Sequence, residues 1–371
     1  MSEARLFDRF ARLCEIPSPT GSERAAADAV AAELRSLGVE VVEDDAAVPA
    51  RAGAGNLIAR IPGTREGWVL FCAHLDTVPH DEPIEVELTD GVFRSRGETI
   101  LGADDKAAVA VLIELAERAV GSAPASGIEL AFTVAEEDGL RGAKELDLGS
   151  LRAPFGYVLD HASPIGELIV AAPTHQRLVA EFEGVEAHAG IRPEDGHSAI
   201  EAAAAAIGAM ELGRLDDETT ANVGVVSGGT ATNVVAGRCA IECEARSLDQ
   251  SRIAAAIAAM LDACTWGASE HGCDLDVDVT EVFRGYRQPP GSAAMRVATE
   301  ALRRAGLEPR RVVTGGGSDA NAFVARGFDC VLLANGTEAN HTPQESVGAA
   351  RLTEMLGVCE AIVELAGDPA C

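Results

Sequence analysis

The sequence predicts an α/β chain: a mostly parallel sheet sandwiched by helices, with a ferredoxin-like α+β lid domain inserted into it. Three observations carry that expectation. Short apolar runs such as WVLFCAH (68–74) and FGYVLD (155–160) alternate with helical patterns, as in a parallel sheet covered on both faces. From about residue 175 to 283 the order becomes β-α-β-β-α-β, the ferredoxin-like motif. After Tyr286 the first pattern resumes. Residues 1–174 and 284–371 are therefore expected to form one discontinuous domain, with 175–283 as the insert.

The elements follow in order. Thr20 and Glu23 read as a T-x-x-E capping box opening a helix; its Val30, Leu34 and Leu37 share a face, and Gly38 ends it. The run 68–74 is a buried strand. A helix spans about Lys106 to Val120, followed by strands at 128–135 and 155–160. The insert opens with a strand at RLVAEFEG (177–184) and a helix from Ser198, where Ser198 and Glu201 form a second capping box. Strands at 222–229 and 238–247, a helix from about Gln250 and a strand at 274–283 complete it. The last segment holds a helix near 291–305, a strand at RVVT (311–314), a helix from Ser318, a strand at DCVLLA (329–334) and a final helix near 348–366. Alanine-rich stretches within these helices express helix propensity.

A chain of 371 residues exceeds one ordinary core and suggests two or three domains. No apolar run approaches the roughly 20 residues a membrane span needs. The N-terminal segment MSEARLFDRFARL lacks the apolar core of a signal peptide, so a cytoplasmic location is expected. The formal charge of −29 argues against nucleic acid and against anionic lipid, since phosphate binding needs clustered cations. Solubility is the plain reading of that charge; attraction of cationic substrates or metal ions into an acidic cleft is the alternative. Nine cysteines without a CxxC pair speak against a zinc finger and against a disulfide framework. Reduced, mostly buried thiols are expected.

The residues that carry chemistry stand just after the expected strands: His74 and Asp76 in FCAHLDTVP, Glu136 and Glu137 in FTVAEEDG, and Asp160 in YVLDHA. Asp104 and Asp105 in LGADDKAA precede a helix, and His341 in GTEANHTPQ follows the strand 329–334. Ligands of open α/β sheets bind beyond the carboxyl ends of the strands, so these loops can converge on one rim. Two histidines and three carboxylates suffice for two divalent metals. In an extended H-x-D the two side chains share a side, so Asp76 is expected to accept a proton from the His74 nitrogen that does not bind metal. Adjacent Glu136 and Glu137 diverge, so one can bind metal while the other faces water. Taken singly, an HxD is structural, an EE pair is a solvated surface, and a DD pair caps a helix. Their conjunction points to a metal site.

These segments resemble the dinuclear-zinc exopeptidase superfamily, which includes peptidase T, glutamate carboxypeptidase, the aminoacylases and succinyl-diaminopimelate desuccinylase. The likeness covers nearly the whole chain, and ADDKA and GGGSDANAF look most like the peptidase T-like branch. The resemblance implies two divalent ions, with zinc expected and manganese or cobalt also compatible with this donor set. It implies that Asp104 bridges both, that His74 and Asp160 complete one site, and that Glu137 and His341 complete the other. Glu136 would be the general base, Asp76 would support His74, and the peptide after Asp104 would be cis. His188 in EAHAG would stabilise the oxyanion, in some members across a dimer, and Arg246 would hold a substrate carboxylate. Asn233 in SGGTATNVV, with Gly316 and Gly317 before a helix start, are further expected substrate contacts. Read alone, His188 is an exposed loop histidine, Arg246 a surface ion pair and the glycines a turn. Two departures stand out: His161-Ala162 where relatives often have glycines, and Ala107-Ala108 where a glycine is common. The expected function is a metal-dependent exopeptidase acting near a free terminus of a small peptide. An N-acyl amino acid deacylase or carboxypeptidase is the nearest alternative, and a catalytically silent binding protein the alternative of another class. The first domain is then catalytic, and 175–283 is a lid that also supports a homodimer.

Overall fold

The structure, a computed structural model, describes residues 3–367 and divides into two compact units. The first holds the chain through Ala171, then Arg287–Thr314 and the residues from Ser318 on. The second holds Ala172–Tyr286 and Gly315–Gly317.

The first unit is built on a mixed, mainly parallel sheet. Its strands run in the order Glu40–Glu43, Leu57–Ile61, Gly127–Thr133, Trp68–His74, Phe155–His161, Asp329–Ala334, Glu167–Ala172. The four from Gly127–Thr133 to Asp329–Ala334 are parallel to their neighbours. The pairs on either side are antiparallel. The parallel strands are buried along nearly their whole length, which is why they read as unbroken apolar runs. Helices Arg24–Ser36, Ala103–Ser122, Ala293–Arg304 and Ala349–Ala366 contribute to the same apolar core. The helix Ala103–Ser122 opens with non-helical backbone at Asp104 and Asp105, and the peptide between them is cis.

Three local expectations need correction. The N-terminal segment, given no element from the sequence, is the helix Glu3–Cys14; it buries Leu6, Phe10 and Leu13, and buries Arg9 among acidic partners. The capping box at Thr20 and Glu23 does not form. The Thr20 hydroxyl instead donates to Asp76 at 2.8 Å, and the Glu23 carboxylate accepts from the Gly21 and Gly53 amides. At the later helix only half of the box is made: the Ser198 hydroxyl accepts from the Glu201 amide at 3.3 Å.

The second unit is an antiparallel sheet in the order Gly213–Asp216, Thr219–Gly228, Arg238–Ser247, Thr174–Glu183, Asp274–Phe283. Alternate residues Leu178, Ala180 and Phe182, with Cys239, Ile241 and Cys243, pack with the helices Ala199–Ala209 and Gln250–Glu270. This is the ferredoxin-like order with one extra edge strand, Gly213–Asp216. Among the described residues the eight cysteines are free, and no helix is long and apolar enough to cross a membrane.

Candidate metal centre

The carboxyl ends of adjacent parallel strands deliver most of the expected residues. His74 ends its strand, Asp160 lies at the end of the neighbouring one, and Glu136 and Glu137 follow Gly127–Thr133. Asp104 reaches them from the helix start and His341 from a loop. Asp104 is the middle of the arrangement. Its Oδ1 lies 3.2 Å from His74 Nε2, and its Oδ2 lies 3.1 Å from His341 Nε2. On the His74 side, Asp160 Oδ1 is 3.8 Å from the same ring nitrogen. On the His341 side, Glu137 Oε1 is 2.9 Å from Nε2. One carboxylate thus faces two imidazoles, and each imidazole faces a further carboxylate.

Asp76 departs from its expected task. The His74 Nδ1–H donates to the main-chain carbonyl of Asp76 at 2.9 Å, while the Asp76 carboxylate is 3.6 Å away. That carboxylate accepts instead from the amides of Glu136 and Glu137, at 3.0 and 3.2 Å, and from Thr20. Asp76 therefore fixes the histidine through its backbone and the two glutamates through its side chain.

The electrostatics match a cation-binding donor set. With Nδ1 donating, His74 Nε2 carries the lone pair in the neutral ring, and it faces oxygens rather than donors. Glu137 Oε1 is buried and makes no hydrogen bond despite its closeness to His341. A single N–H on His341 cannot serve both Asp104 and Glu137. Burial pushes Glu136 and Asp160 well above the usual carboxylate range, and neighbouring carboxylates add to it. Burial opposes charge on His74, yet Asp104 and Asp160 raise its pKa; Asp104 and Glu137 raise that of His341 to about 10. A divalent cation on each side of Asp104 would replace those protons and relieve the repulsion among the carboxylates. Three overlapping donor groups, each with its ligand atoms within 4.8 Å, fit that reading: His74, Asp104 and Glu137; His74, Glu136 and Asp160; Asp104, Asp105 and Asp160.

Several supporting residues escaped the sequence reading. Glu345, 1% exposed, accepts from the amides of Leu101 and Gly102, both at 2.8 Å, and of Asp104 at 2.9 Å. It anchors the loop that presents Asp104. Asn340 donates to Asp104 Oδ2 at 2.8 Å. Asp319, at the start of a helix, accepts from the Thr133 hydroxyl, and burial raises it to about 6. Nothing short-range in the sequence announces these contacts. Only the ANHTPQE spacing, which places Asn340, His341 and Glu345 in one short segment, offered a hint.

The other expected residues belong to the second unit. His188 is exposed, and its Nδ1 accepts from the Gly190 amide at 3.2 Å. The Asn233 carbonyl accepts from the Ala189 amide. Arg246 is held rather than free. Its Nε and Nη2 donate to Glu244 at 3.2 and 3.0 Å, and Nη1 donates to the Gly315 carbonyl at 3.4 Å. His175 and Arg246 together hold the Glu244 carboxyl down at about 2. A side chain at Gly317 would collide with the Phe283 ring, so that glycine serves a close approach.

Comparison with known proteins agrees with this geometry. The family model "Peptidase family M20/M25/M40" matches residues 70–365. The chain is 38% identical over 366 residues to the uncharacterized protein YqjE of Bacillus subtilis, covering 98% of this chain and 99% of that one. Among solved structures, the aminopeptidase PepT of Bacillus cereus is 39% identical, with a TM-score of 0.86 over 99% of this chain and 100% of that one. A tripeptidase of Staphylococcus aureus is 36% identical, with a TM-score of 0.91 over 99% of both chains. The chain belongs to peptidase family M20/M25/M40, within its peptidase T-like branch.

Proposed function

We propose that this peptidase is a cytoplasmic two-metal exopeptidase that hydrolyses a peptide bond near a free terminus of small peptides, with zinc as its metal. The observation that carries the reading is Asp104, whose two oxygens face His74 and His341 at 3.2 and 3.1 Å. Cations held there would supply Lewis acidity, which polarises a carbonyl and lowers the pKa of water. His74, Asp160 and Asp104 would hold one cation; Asp104, Glu137 and His341 would hold the other. Glu136 is the general base: it accepts a proton from the attacking water and returns it to the departing amine nitrogen. Asp76 holds the amides of Glu136 and Glu137 and so keeps the base and the ligand diverging. Family resemblance supports an oxyanion role for His188, a carboxylate-anchoring role for Arg246, and substrate contacts at Asn233, Gly316 and Gly317. It also supports residues 175–283 as a lid through which two copies pair.

The test is a panel of tripeptides, dipeptides and N-acyl amino acids assayed with zinc-loaded enzyme, with and without chelator. Chelator-sensitive release of a terminal residue from tripeptides is expected. Turnover of N-acyl amino acids alone would replace the peptidase reading with a deacylase. A Glu136→Ala variant with normal metal content and undiminished rate would overturn the mechanism.

A further inference from the structure

We propose that Glu244, backed by His175, positions the Arg246 guanidinium so that it can grip the carboxylate of a peptide substrate. The inference rests on the carboxylate-anchoring role proposed above for Arg246 and adds the residues that set its orientation. All the groups involved belong to the second unit. Glu244 and Arg246 stand two apart on the strand Arg238–Ser247, and His175 lies directly across from Arg246 on Thr174–Glu183. The three therefore share one sheet face. It is the face opposite Leu178, Ala180 and Phe182, which pack with the helices.

Three partners fix the guanidinium. Its Nε and Nη2 donate to the two Glu244 oxygens at 3.2 and 3.0 Å, its Nη1 donates to the Gly315 carbonyl at 3.4 Å, and its Cζ lies 6.0 Å from the centre of the Phe283 ring. The same ring meets His175 edge to face, with centroids 5.2 Å apart, and His175 Nε2 is 3.1 Å from the Glu244 oxygen that Nη2 reaches. Gly317 closes on that ring and leaves no room for a Cβ. A guanidinium has five N–H groups. Three are placed by these bonds, and one remains on each terminal nitrogen, the pair with which arginine holds a carboxylate bidentately. An ordinary surface ion pair on the same face looks different. Arg177 and Glu242 meet through one contact, with side chains 52% and 40% exposed, whereas Arg246 is 29% exposed and makes three bonds.

Glu244 acts on an incoming carboxylate in two opposed ways. Its charge repels the ligand. Its bonds keep the long arginine side chain from sampling other rotamers, so less freedom is lost on binding. The Glu244 side chain is 36% exposed, and at such a site water and salt screen the repulsion. They do not screen the orientation in the same way. Positioning therefore outweighs repulsion, and loss of Glu244 weakens carboxylate binding.

The test compares trialanine with trialanine amide, which lacks the carboxylate, on the zinc-loaded full-length enzyme. Wild type should prefer the acid in kcat/KM. Glu244→Ala removes bonds to a charged group in the anchor and none at the reacting atoms, so it should raise the trialanine KM roughly tenfold and act mainly on KM rather than kcat. The preference for acid over amide should shrink by the same factor. Glu244→Gln, which keeps one acceptor oxygen, and His175→Phe should each shift it in that direction by less. In an Arg246→Ala background, Glu244→Ala should have no further effect on the preference. Calorimetric binding of a non-hydrolysable reduced-amide tripeptide, as acid and as carboxamide, reads the same ratio without turnover. Should the alanine variant lose its circular dichroism signal, the glutamine variant decides. A variant that binds the acid as well as wild type or better, or that loses acid and amide equally, overturns the positioning role alone. A wild type indifferent to amidation in both assays overturns the anchoring role of Arg246 and this inference with it. Absence of turnover with every peptide overturns the exopeptidase reading, and the calorimetric ratio then decides the role of Glu244 by itself.

Discussion

Two buried charge clusters lie in the same unit and are built on opposite terms. In the first, Glu114 is 1% exposed and is met by three guanidinium groups, from Arg5, Arg9 and Arg118. Arg9, itself 3% exposed, also reaches Glu33 and Glu117. In the second, among the described residues, the ion-pairing partners of Asp76, Asp104, Glu137 and Asp160 are the two imidazoles of His74 and His341, and the one buried ammonium nearby, Lys106, acts on Asp76 and donates to Ser18. Burial opposes ionisation in both. In the first, arginines outweigh it and hold the Glu114 carboxyl below its usual range. In the second, burial and neighbouring carboxylates push Glu136 and Asp160 up. The first cluster brings its own cations and ties the helix Glu3–Cys14 to the helix Ala103–Ser122. The second leaves room for cations from outside, and that deficit marks it as a site.

The sharpest way to separate the clusters is to neutralise one acid in each. Glu136→Gln should lower kcat by roughly a thousandfold, within the range for losing a general base. Metal content and melting temperature should stay near wild type, because Glu136 is proposed to move a proton rather than to hold the ions. Glu114→Gln should do the reverse. It takes from Arg9 its most buried counter-charge while Glu33 and Glu117 remain, and should destabilise the fold by about 1–3 kcal/mol. Chemical denaturation monitored by circular dichroism would measure it, and kcat of the folded fraction should persist. The same pair predicts a pH response. The folded Glu114 carboxyl lies below its ordinary 4.5, so its stabilisation is full above that value and is lost as pH falls through the lower, folded value. Glu114→Gln should flatten that acid limb of the stability curve.

Much of the architecture was legible because apolar runs and turn residues mark it locally. The strands Trp68–His74, Arg238–Ser247, Asp274–Phe283 and Asp329–Ala334 follow directly from such runs. The strands Leu57–Ile61 and Glu167–Ala172 went unread, although LIVAA (168–172) is itself an apolar run. The helix Glu3–Cys14 was hidden because Arg9 reads as a solvated charge, and its acidic partners stand 24, 105 and 108 residues away. At the rim, His74, Asp104, Glu137, Asp160 and His341 could be picked out by residue type and position after strands. Their supports could not. Glu345 meets the Asp104 amide across 241 residues of chain. In the second unit, by contrast, Arg246 and Glu244 lie two apart on one strand and share a face, so spacing alone allows their pairing.

A smaller effect sharpens the contrast further. Thr20→Val removes one hydrogen bond to Asp76 and should cost about 1 kcal/mol in stability. Because that same carboxylate holds the Glu136 and Glu137 amides, kcat should fall a few-fold while KM stays constant. A stability loss without any change in kcat would mean that Asp76 does not transmit position to the glutamates.

The direct test is calorimetric titration of metal-stripped protein with zinc, for wild type and for Asp104→Ala. Two ions per wild-type chain are expected, with neither retained tightly once Asp104 is gone. A wild type that binds one ion or none, or an Asp104→Ala variant that still takes up two with unchanged affinity, would contradict a pair of cations shared by that carboxylate.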